Sequence, residues 1–138
     1  MMTKLTTTFA IAMALLIPNP TLANTLPPLE DNKRVMGELV SGEVGYQIHK
    51  HCGSLSARKL RALGRLNELA DYARSLGYTD ADFKALTKNG PARDMRDARV
   101  NAYLAQNGVV AGDGESYCRL GREEMKKKSL TGWLLREN

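Results

Sequence analysis

Apolar residues recur at helical spacing along most of this chain. Val35, Leu39, Val40, Val44 and Ile48 form one stripe, which predicts a first helix from about Glu30 to His51, closed by Gly53. Acids at Glu30 and Asp31 and cations at Lys50 and His51 suit its dipole. Gly37, Gly42 and Gly45 on the same stretch predict either the close approach of a neighbouring helix or a break near Ser41-Gly42. A second helix is expected after a Ser54 or Ser56 cap, running to about Leu76 with Leu60, Leu63, Leu66, Ala70, Ala73 and Leu76 inward.

The pattern continues with shorter units. Thr79 caps a third helix with Asp80 and Asp82 in its first turn and Phe83 and Leu86 inward. Pro91 opens a fourth that runs to about Gln106, with Met95, Ala98, Val100, Ala102 and Tyr103 inward, and Asn107-Gly108 stops it. A fifth spans about Glu115 to Lys127 and carries Tyr117, Leu120 and Met125. Leu130, Trp133 and Leu134 repeat at helical spacing in the tail and are expected to dock on the core. Strand-like alternation is absent, so the fold class is all-α, a bundle of about five helices.

The first residues stand apart from this pattern. Lys4 precedes a nine-residue apolar run, Phe9 to Ile17; Pro18 and Pro20 end it, and Thr21-Leu22-Ala23 supplies small residues for cleavage. This order predicts a secretory signal peptide over residues 1–23 and a single helical domain over 24–138. A run of this length is short of the roughly 20 residues a membrane span needs. The domain is therefore expected in the periplasm or secreted, with no transmembrane span after cleavage. Removing the leader takes the net charge from +5 to +4, a mild excess that does not suggest a nucleic-acid partner.

Compartment gives the two cysteines a meaning. Cys52 and Cys118 lie 66 positions apart, and in an oxidising compartment they are expected to pair, joining the first helix to the fifth. A loop of that length contributes on the order of 4 kcal/mol. Cys-x-x-Cys does not occur, which removes a thioredoxin-like role.

Few residues suggest chemistry. His49 and His51 flank Lys50 beside Cys52 and are weak metal candidates. On a helix they point about 200° apart, and a disulfide removes both thiolates, so no metal and no cofactor is expected. No Gly-x-Ser-x-Gly and no phosphate loop occurs, and the paired acids read as surface charge. Arg58, Arg61 and Arg65 share a face of the second helix beside Lys59, in the half where positive charge opposes the dipole. They are the candidate binding face, against the plain alternative of a solvated face with local ion pairs.

Cys52, Tyr117-Cys118, Leu120-Gly121-Arg122-Glu123 and Gly132 to Arg136 together resemble a family of small exported bacterial proteins known only as a domain of unknown function. The resemblance implies a helical exported domain without an assigned activity. It also suggests genes lying near those of respiratory NADH–quinone oxidoreductase, which favours an accessory role beside an inner-membrane respiratory complex. The reading that follows is a non-enzymatic accessory factor that binds another envelope protein. The alternative is an envelope hydrolase using an acidic residue with His49 or His51.

Overall fold

The computed structural model describes residues 25–138. The leader and its cleavage after Ala23 lie outside the described residues. A 3-10 turn, Leu29–Asp31, leads into α1 (Lys33–His51), β1 (Leu55–Ala57), α2 (Lys59–Ser75), α3 (Asp80–Thr87), α4 (Pro91–Gln106), α5 (Gly114–Lys127), α6 (Leu130–Trp133) and β2 (Leu135–Glu137). The all-α class holds, with one addition. The two three-residue strands pair antiparallel, Leu55 with Glu137, Ser56 with Arg136 and Ala57 with Leu135. Three residues are too few to show alternation, and the pairing partners are some 80 positions apart, so no local pattern announces them.

The Asn32 side chain accepts from the Val35 amide and starts α1 just after the acidic turn. The helix is unbroken through Ser41-Gly42. The Ser41 carbonyl there also accepts from the Thr131 hydroxyl, at 2.9 Å, which ties α6 onto it. Of its three glycines only Gly45 has neighbours, Thr131 and Leu134, within ordinary contact distance of where a Cβ would stand; Gly37 and Gly42 face open space. One side of α1 supplies two apolar clusters. Val44 and Ile48 meet Leu55, Val100, Leu104, Tyr117, Leu120 and Leu135 around the disulfide. Val35, Met36 and Leu39 meet Leu29, Leu69, Ala73, Phe83 and Leu86 at the other end. Cys52 and Cys118 are bonded, with Cα atoms 5.1 Å apart.

The expected inward stripe of α2 is corrected. Leu69 and Ala73 are buried, whereas Leu60, Leu63, Leu66 and Leu76 are exposed. Ser54 to Ala57 are taken up by the turn into β1 and the strand itself, so neither serine caps α2. Arg58 stands at the N-cap without a side-chain cap bond. Only the C-terminal half of α2 reaches the cluster formed with α1 and α3.

The inward line of α4 also differs. It is Arg96, Val100 and Leu104, at i, i+4 and i+8, while Met95, Ala98 and Ala102 face outward and Tyr103 is half-buried. Arg96 enters because its guanidinium is satisfied there. It donates to the Leu86 carbonyl at 3.2 Å and to Asp97 at 2.6 Å, and its aliphatic stem fills the line. α3 follows expectation, with a reciprocal cap between Thr79 and Asp82 and with Phe83 and Leu86 buried. The tail docks through Thr131, Gly132, Leu134 and Leu135, but Trp133 stays exposed.

Candidate functional site

The N-terminal half of α2 contains no buried residue. Leu60 is 86% exposed and Leu63 55%. Polar bonds to the tail hold this half in place. The Arg58 amide donates to the Leu134 carbonyl at 2.7 Å and its Nε to that of Leu135 at 3.0 Å. Arg61 donates to the Trp133 carbonyl at 3.2 Å and lies 4.9 Å from the centre of the Trp133 ring. The Trp133 and Leu134 carbonyls stand at the C-terminal end of α6, where cations are favoured, and that of Leu135 opens β2. They accept hydrogen bonds but cancel no charge.

The four candidate face residues are therefore not equivalent. Arg58 and Arg61 are pinned to the tail and keep their charge. Lys59 is exposed and forms no ion pair among the described residues. Arg65 is neutralised: both oxygens of Glu38 on α1 accept from it at 2.8 Å, and Glu68 accepts at 3.0 Å. The Glu38 hydrogen bond is the main reason its guanidinium titrates above the usual arginine value. Local ion pairing explains Arg65, and only the first turn of α2 keeps a cationic surface.

Three hollows run along the flank of α2, and consecutive ones share lining residues. The first, about 250 Å³, lies between α1 and α2 over Leu39, Leu66, Leu69 and Leu134, with Glu38 and Arg65 at its wall. The second, about 230 Å³, is bounded by Gly42, Gly45, Tyr46 and Ala62 and is almost wholly apolar. The third, about 520 Å³, is bounded by Arg58, Lys59, Arg61, Arg136 and His49, and no carboxylate lines it. Lys59 and His49 line both the second and the third, and Gly42, Ala62 and Leu134 line both the first and the second. Together they make one groove, apolar at one end and cationic at the other. Sequence periodicity does not reveal it because it assigns Leu60 and Leu66, which line the groove, to the core.

The histidines do not converge. His49 is half-buried beside Tyr46, with Nδ1 enclosed and without a hydrogen-bond partner. His51 is exposed and stacks on Tyr117, ring centres 4.6 Å apart. Neither forms an ion pair with a carboxylate, and no group of three or more His, Cys, Asp and Glu could hold a metal, both among the described residues. No helix among the described residues is long and apolar enough to cross a membrane.

The residues that carried the family resemblance meet in the core. Cys118 closes the disulfide, and Gly121 lies against Ile48 and Leu55. Gly132 lies against the α5 backbone at Glu124. Around Cys118, Gly121 and Gly132 the motif is a packing lock between α1, α5 and the tail, and through Leu134 and Arg136 its tail part also lines the groove. No curated protein matches the chain, and no solved structure does. The model of a family of unknown function, DUF5333, matches residues 27–136, and the chain belongs to that family.

Proposed function

We propose that this protein is an exported, non-enzymatic binding protein that holds another envelope protein against the N-terminal half of α2. The observation that carries this reading is the joint exposure of Leu60 and Leu63 beside Arg58, Lys59 and Arg61. Exposed apolar side chains and positive charge at a helix N-terminus are both unfavourable in an isolated chain. A partner that buries the leucines and faces the cations with acids relieves both. The disulfide is consistent with an oxidising compartment, which supports export. An accessory role beside an inner-membrane respiratory complex is the setting this reading favours.

Affinity capture from native envelope fractions tests this, with wild type and a Leu60→Asp, Leu63→Asp double variant side by side. The expected result is a reproducible partner at near-stoichiometric yield, lost in the variant. Both positions are exposed, so the variant folds. The reading fails if no partner recurs and the purified chain turns over an envelope substrate in a way that replacing His49 and His51 abolishes. That outcome establishes the hydrolase alternative.

A further inference from the structure

We infer that the groove beside α2 receives a short acidic segment of the partner, with one large apolar side chain seated between α1 and α2 and carboxylates at the cationic mouth. This rests on the binding reading above and gives the partner's chemistry and its direction of approach. The groove follows α2 from Leu69 back to Lys59, a length of about 15 Å at the rise of an α-helix. An extended peptide covers that with about five residues.

Charge sets the direction. Arg58, Lys59, Arg61 and Arg136 bound the mouth with no carboxylate among its lining residues. Lys59 and Arg136 form no ion pair among the described residues, and the bonds of Arg58 and Arg61 go to neutral carbonyls. At the other end Arg65 is already matched by Glu38. An acid placed there would meet a satisfied pair, whereas an acid at the mouth meets unmatched positive charge.

Shape sets the apolar end. A Cβ added at Gly42 would have no atom within 4 Å, so the α1 wall there is bare and leaves room for an incoming side chain. Leu39, Leu69 and Leu134 line the hollow beside it. The polar wall favours a peptide over a single acyl chain. Glu38, Glu43, Arg65 and Arg96 border the apolar hollow, where peptide amides and carbonyls find partners and methylenes find none. The groove is recessed along α2, which a flat bilayer does not enter.

Selection of random peptides of about twelve residues, displayed on phage, against the immobilised oxidised chain tests this. The expected result is enrichment of sequences with Asp or Glu on one side of a large apolar residue. A selected peptide should lose at least tenfold in affinity against Gly42→Phe, which fills the hollow, and against Lys59→Glu, Arg136→Glu, which cancels the positive charge of the mouth. Circular dichroism checks that both variants fold, and the surface charge variant keeps the test decisive if Gly42→Phe does not. Enrichment of neutral or basic peptides overturns the inference. So does binding that survives both variants, or binding of oleate or phosphatidylglycerol vesicles without peptide enrichment. If the envelope partner is captured equally well by Gly42→Phe and by Lys59→Glu, Arg136→Glu, the groove is wrong and the binding function stands.

Discussion

Gly132 of α6 rests directly on the backbone of Glu124 in α5. A Cβ at position 132 would fall within the Glu124 carbonyl and 2.6 Å from the Met125 amide nitrogen. Backbone cannot step aside as a side-chain tip does, so Gly132→Ala is expected to cost several kcal/mol and to displace the tail. Gly37, also helical, is exposed with nothing near its absent Cβ. Gly37→Ala should instead stabilise by up to about 1 kcal/mol. Urea unfolding of the two variants checks both signs.

The disulfide gives a second expectation. Cys52→Ser opens a loop of 66 positions and should lower stability by on the order of 4 kcal/mol. A compact unfolded chain would reduce that figure. Thiol labelling of the denatured, unreduced protein should find no free thiol. Two thiols per chain would refute the pairing.

Tyr103 donates to the buried Glu124 carboxylate, and Ser129 donates to its other oxygen. Burial, reinforced by that hydrogen bond, pushes the Tyr103 phenol up to about 12. A raised folded value means the folded state holds the proton more tightly. The resulting stability is complete below the unfolded value of about 10 and is lost as pH rises through about 12. Absorbance titration near 295 nm should show a tyrosine component with its midpoint there. Tyr103→Phe should abolish that component together with the associated alkaline loss of stability.

At the acid end, the Thr79 amide and hydroxyl hold the Asp82 carboxyl below its ordinary value. Here the sign reverses. The contribution is present above the unfolded carboxylate value, about 4, and is lost as pH falls through the lower folded one. Asp82→Asn should flatten that part of the stability profile, and thermal melts between pH 2 and 6 would reveal it. An unchanged profile would show that the cap does not persist in solution.

The element pattern was largely readable because most helices carry local signals: Thr79 with Asp82 for α3, Pro91 for α4, and Gly77 and Gly108 at helix ends. The faces were harder. Leu60, Leu63 and Leu66 match the spacing of a core stripe, yet what buries a leucine is a neighbour opposite it, and α2 has one only from Leu69 onward. Hydropathy favours Met95 over Arg96 because it does not anticipate the Leu86 carbonyl that accepts from the guanidinium. The β1–β2 pairing joins segments too short and too distant to declare themselves. The groove shares the first and last of these causes, since the exposed Leu60 and Leu66 line it together with Leu134 and Arg136 of the distant tail.

α1 lends side chains to both apolar clusters, with Val35 and Leu39 in one and Val44 and Ile48 in the other. A single unbroken helix therefore acts as the common beam of the molecule. Neither end can lose its order while the other keeps its own, because melting either cluster strips one half of the same helix of its packing. Amide protons of α1 should accordingly exchange only through complete opening of the chain, and the two clusters should disappear in one cooperative event.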